Sequence, residues 1–117
     1  MIIHGREVRF FLSTGAMKEI ASVCPEGDLK RIGDVMESTE GMFDTVAKMA
    51  ASMSKWYELQ QAFEHSGYKG VALTYEECLV LSPDEFSELT KEVMDAFRTG
   101  RKTEIETEPI KKKDITE

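Results

Sequence analysis

The sequence predicts a mainly α (α+β) fold: an N-terminal β-hairpin packed on a small helical domain, with one long central helix and a flexible C-terminal tail. Three observations predict it. Residues 39–66 carry apolar side chains at helical spacings of three and four. Thr74-Tyr75-Glu76-Glu77 and Ser82-Pro83-Asp84-Glu85 are capping boxes, in which a hydroxyl serves the amide three residues on and the Glu reaches back. Residues 1–12 alternate around His4-Gly5, a two-residue turn candidate whose Gly is free to take positive φ.

The hairpin is the first element. Beyond its turn Val8, Phe10 and Leu12 form an apolar row, with Phe11 as the exception. A lone hairpin is marginal in water, so it must lie on helices. Ser13 or Thr14 caps a helix that starts near Gly15 and carries Ala16, Met17, Ile20, Ala21 and Val23; Pro25 ends it. Glu26-Gly27 is a turn, and Asp28 caps a shorter helix with Leu29, Ile32, Val35 and Met36 inward.

Ser38 or Thr39 starts the long helix. Phe43, Val46, Ala47, Ala50, Met53, Tyr57 and Phe63 make its main stripe, and Met42, Met49, Trp56 and Leu59 widen it. Gly67 is its stop, and Gly67 and Gly70 bracket a flexible link. A short helix over 75–80 follows. The last helix carries Phe86, Leu89, Val93, Met94 and Phe97 inward and ends at Gly100. The domain reading is a single globular unit over 1–100, with the hairpin in 1–12 and helices in 13–100, then a flexible polar tail over 101–117.

Charge and cysteine usage narrow the class. The formal charge is −7. In the tail Arg101, Lys102, Lys111, Lys112 and Lys113 balance Glu104, Glu106, Glu108, Asp114 and Glu117, so the whole excess belongs to the body. An acidic body repels phosphate, which argues against nucleic acid and anionic membranes as partners. No apolar run approaches the roughly 20 residues of a membrane span, and Met1-Ile2-Ile3-His4-Gly5 does not read as a signal peptide. A cytoplasmic protein is expected. Cys24 and Cys78 are far apart and in no CxxC pattern, so buried reduced thiols are expected.

The residues needed for chemistry are missing from the pattern. His4 and His65 are the only histidines, and neither has a carboxylate or Cys at ligand spacing, so no metal is expected. Glu76-Glu77 and Asp84-Glu85 fall in first helical turns, where they complement the helix dipole. Ser13-Thr14-Gly15 reads as an N-cap rather than an anion cradle. The glycines form no phosphate loop. No catalytic residue, cofactor or enzymatic activity is expected.

What remains is surface. The chain holds seven methionines, and Met-rich helical faces suit adaptable binding. Most of them read as core. Met42, Met49, Trp56 and Leu59 sit beside the main stripe of the long helix, where a small domain cannot cover everything, and they are the candidate partner-binding residues, with Trp56 as the anchor.

The order of elements resembles that of the tail assembly chaperones of long-tailed phages and prophages. The likeness lies in Ile3-His4-Gly5-Arg6-Glu7-Val8-Arg9-Phe10, in Leu12-Ser13-Thr14-Gly15-Ala16-Met17-Lys18-Glu19-Ile20, in Leu73-Thr74-Tyr75-Glu76-Glu77 through Phe86, and in the Pro109-Ile110-Lys111-Lys112-Lys113 ending. His4 stands where the family's hairpin usually has Asn, a change a positive-φ turn tolerates. The resemblance implies a non-catalytic protein that coats the tape-measure protein, keeps it soluble until the tail tube assembles, and is absent from the mature virion. It implies the bacterial host cytoplasm as its location, self-association, and the major tail tube protein as a further partner. The family is often made in two lengths by a −1 frameshift, and Lys111, Lys112 and Lys113 are the candidate frameshift-encoded run, with a solubilising basic tail as the other reading. The alternatives are a structural tail or head–tail component and a small cytoplasmic helical adaptor unrelated to phage.

Overall fold

The computed structural model describes the backbone of residues 1–116 and the side chains of residues 1–101. The chain is mostly helical, with a two-stranded antiparallel hairpin and one long helix. Strands β1 (Ile2–Ile3) and β2 (Arg6–Glu7) pair with Ile2 opposite Glu7 and Ile3 opposite Arg6. His4 (φ 50°) and Gly5 (φ 78°) both lie in the left-handed region, the conformation a primed two-residue turn needs. The ladder extends by one more pair, Met1 with Val8, and then stops. Residues 8–12 are therefore not the longer strand the alternation predicts. Val8 is nonetheless buried, Phe10 and Leu12 pack on the core, and the Phe11 amide donates to the Met53 carbonyl at 3.1 Å.

Helix α1 (Thr14–Ser22) begins at Ser13, whose Oγ accepts from the Ala16 amide at 3.0 Å. A 3₁₀ turn at Pro25–Gly27 carries Glu26 (φ 58°) and Gly27 (φ 68°) through the left-handed region, where the Glu26-Gly27 turn is expected. Asp28 caps a second 3₁₀ turn, Leu29–Arg31, that runs into α2 (Ile32–Val35). Ser38 opens α3 (Thr39–Glu64) by accepting from the Gly41 amide at 3.0 Å. At 26 residues α3 is about 39 Å long. Both capping boxes form: Thr74 and Glu77 start α4 (Tyr75–Leu79), and Ser82 and Glu85 start α5 (Pro83–Thr116).

Gly100 does not end α5. Its role is close approach: an added Cβ would stand 2.7 Å from the Leu12 Cβ, so the missing side chain lets the post-hairpin segment lie against the helix. The polar tail expected over 101–117, with Lys111, Lys112 and Lys113, falls from residue 102 onward outside the described side chains.

The core gathers on α3. Val46, Ala47, Met49, Ala50 and Met53 are fully buried, and Ile20 of α1, Cys78 of α4 and Leu89, Val93 and Phe97 of α5 close around them. Two stripe residues depart from expectation. Phe43 is 41% exposed and Phe63, past the last packed turn, is 86% exposed. Cys24 and Cys78 are buried free thiols, and burial pushes the Cys78 thiol up to about 12. No described helix is long and apolar enough to cross a membrane.

Truncating the centre of this core should cost far more than truncating the far end of α3. Met53→Ala is expected to destabilise by about 2–5 kcal/mol, and Leu59→Ala by under about 0.5 kcal/mol. Urea unfolding of the two variants checks this.

Candidate interaction surface

Three polar ties fix the geometry of the surface. The first joins the hairpin to α4. Arg6 donates from Nη1 and Nη2 to the two Glu77 oxygens at 2.9 and 3.1 Å, and from Nη2 to the Ala72 carbonyl at 3.3 Å. Glu77 meanwhile accepts from the Thr74 amide at 3.0 Å. Hydrogen bonding to Arg6, with the Thr74 cap, outweighs desolvation and holds the Glu77 carboxyl down at about 2.

The second tie joins α1 to α3. The Glu19 carboxylate accepts from Ser52 Oγ at 2.6 Å and Trp56 Nε1 at 2.9 Å, and pairs with Lys55. Desolvation opposes the charge, but the three donors outweigh it and Glu19 sits at about 2. The third tie holds the return segment on α3. Leu73 donates from its amide to Ser54 Oγ at 2.9 Å, and Tyr68 donates to Glu58 at 2.6 Å. The link after Gly67 is thus pinned at several points rather than loose.

These ties revise the partner-binding assignment. Met49 is 0% exposed, part of the core, and offers no surface. Trp56 is a strut, not an exposed anchor. Its ring lies against Gly15, where a Cβ would collide with the indole, and its N–H is held by Glu19. Met42 is half-buried against the core. Leu59 alone of the four is open, at 38%.

Ile2, Phe63 and Val71 are exposed at scattered places, whereas Phe43, Leu79 and Val80 are uncovered together where the start of α3 meets the end of α4. Phe43 packs its ring edge-on against Phe86 at 5.1 Å and stays open on its outer face. Leu79, 47% exposed, shares with it a depression of about 760 Å³, walled also by Glu40, Asp44 and Tyr75. Val80 is exposed beside Leu79. On its other side Phe43 borders a shallow hollow with Met42, Phe86 and Met94. A further depression of about 620 Å³ runs between α1, α3 and residues 72–76, lined by the half-buried Val23, Ala51, Ala72 and Tyr75. Sequence reasoning missed Phe43 and Leu79 as surface residues. The available signal was the run Leu79-Val80-Leu81, three apolar residues at the end of a short helix, which cannot all point inward.

Among the described residues no group of three or more His, Cys, Asp or Glu side chains is placed to hold a metal. Compared with known proteins, the chain matches no family model, no curated protein and no solved structure.

Two outcomes follow for the ties. Glu77 and Glu19 are held at about 2, below the roughly 4.3 of an unfolded Glu. A lowered folded-state pKa adds stability that is present above the unfolded value and lost as pH falls through the folded one. Stability should therefore drop between about pH 5 and pH 2. Glu77→Gln should be less stable at pH 7, with a shallower loss on acidification; thermal melts at pH 7, 4 and 3 read both. Trp56→Ala should lower stability by about 3–5 kcal/mol, because it empties the α1–α3 contact and strips a donor from Glu19. A melt matching the unaltered protein would put Trp56 back at the surface.

Proposed function

We propose that this chain is a non-catalytic binding protein, a tail assembly chaperone of phage or prophage type that holds the helices of a tape-measure protein in soluble form before the tail tube assembles around it. The observation that carries the reading is the uncovered apolar edge of Phe43, Leu79 and Val80, with Met42 and Met94 beside it, on an acidic body. A surface of this kind gains by being covered, since buried apolar area stabilises at about 25 cal/mol per Å². Met side chains adapt to varied apolar partners. The −7 charge keeps an otherwise adhesive protein dispersed.

Supporting the resemblance, its quoted segments occupy the structural roles their patterns imply. His4-Gly5 makes the hairpin turn, Ser13 the cap of α1, and Thr74 with Glu77 the cap of α4. These are short-range roles, and they support the family reading through local structure.

Co-expression with the tape-measure protein of the same genome tests the proposal. The expected result is a soluble complex holding several copies of this chain, seen by pull-down and by size exclusion with light scattering. Phe43→Ser combined with Leu79→Ser should leave the chain folded and reduce the soluble partner at least several-fold. A partner that stays insoluble with the unaltered chain would remove the chaperone reading.

A further inference from the structure

The two depressions on the α3–α4 side lie end to end along α3 and meet at Tyr75, whose hydroxyl donates to Asp44 at 2.7 Å, so together they make a trough that Tyr75 crosses. Along α3 it runs from Glu40 to Lys55, a rise of about 22 Å. The lining it presents is apolar, with Val23, Ala51 and Ala72 half-buried over Met49, Ile20 and Leu73, which are closed to solvent beneath them. Its edges are not neutral. Lys48 is matched by Asp44 at 2.9 Å, and Lys55 is matched by Glu19. Glu40 and Glu76, at opposite parts of the rim, are exposed and have no ion-pair partner among the described residues. The trough therefore offers an apolar floor with two uncompensated negative charges along it.

The backbone decides what shape fits. A peptide binding as an extra strand needs free amides and carbonyls along an edge. The wall at 72–74 has few to give: the Ala72 carbonyl accepts from Arg6, the Leu73 amide donates to Ser54, and the Thr74 amide donates to Glu77. A helix satisfies its own backbone and needs only a groove for its apolar stripe. A length of about 22 Å accommodates roughly 15 helical residues.

We infer that the Tyr75 trough is the docking site for an amphipathic helix of another protein, about four turns long, whose apolar stripe is flanked by Lys or Arg. The inference rests on the binding-protein reading above only in taking this surface to be covered by a partner; it does not depend on which protein the partner is. The basic flanks meet Glu40 and Glu76, and the stripe lies over Leu79, Tyr75 and the floor beneath. Selectivity follows from charge. An acidic-edged helix of the same apolar content meets like charge along the rim and is turned away.

The test uses the full chain and three synthetic 16-residue peptides. One is a helix with a Leu stripe and Lys flanks, one replaces each Lys by Glu, and one scrambles the Leu/Lys sequence so that no stripe forms. Calorimetry should give one Leu/Lys peptide per chain, bound at least tenfold tighter than either control. Amide shifts in NMR spectra should concentrate in residues 40–55 and 72–79. Glu40→Lys with Glu76→Lys should weaken the Leu/Lys peptide about tenfold and raise the affinity of the Leu/Glu peptide. Glu64→Lys with Glu92→Lys changes net charge equally, away from the trough, and should alter neither by more than about twofold. Equal binding of stripe and scramble, equal effects of the two charge variants, shifts centred elsewhere, or no binding would each overturn the inference. So would light scattering that shows a second copy of the chain over Tyr75 with the peptide excluded. Success in the tape-measure co-expression alongside failure here would leave the chaperone reading in place and move its contact to another face.

Discussion

The structure depends on the middle of α3 being buried nearly all round. Between Thr45 and Ser54 only Lys48 reaches solvent freely, and the chain must bring α1, α4 and α5 to the same ten-residue stretch. Small residues make this feasible. Ala47, Ala50, Ser52 and Ser54 let neighbours approach, while Val46, Met49 and Met53 fill the spaces between them. Burying serines in such a place costs free energy unless their hydroxyls are used. Ser52 donates to Glu19 and Ser54 accepts from Leu73, so each hydroxyl fixes a neighbouring element. The packing centre also sets the positions of the polar ties.

From that centre the hairpin acquires its role. Two strands of two residues each have little stability of their own. Ile3 and Val8 bury themselves in the core, and Arg6 then reaches Glu77 with a two-pronged bond. Glu77 is also the residue that caps α4, a helix of only five residues. One carboxylate thus serves a local and a long-range function. The orientation of α4, and with it Tyr75 and Leu79, depends on a residue at the opposite end of the chain.

The local part of this was legible in the sequence and the long-range part was not. Ser13, Asp28, Ser38, Thr74 and Ser82 announce their helices because a cap involves residues two or three apart. The His4-Gly5 turn is equally short-ranged. Arg6 and Glu77 are 71 positions apart, and nothing in composition or periodicity pairs them. The same limit explains the revised surface. A helical stripe says which side chains share a face, but the number of neighbours decides how wide the buried sector is. In the middle of α3 Met49 is enclosed; near the start of α3 the cover thins and Phe43 emerges. Gly100 reads as a stop, yet the helix runs through it, and its missing side chain serves the contact with Leu12.

The exposed apolar edge is a consequence of the same economy of elements. After α4 the chain has only Val80, Leu81 and Ser82 before α5 begins at Pro83. Both flanking helices are held in place, α4 through Cys78 and Glu77, α5 through Phe86 and Leu89. Leu81 turns partly inward, and among the described residues no further layer covers Leu79 and Val80. Burying them within the chain would require breaking the Glu77 cap or withdrawing Cys78 from beside Ala47. The fold therefore keeps its apolar edge outward at the cost of hydrating it, and a partner helix laid along Tyr75 would cover Phe43 and Leu79 without disturbing any contact of the core.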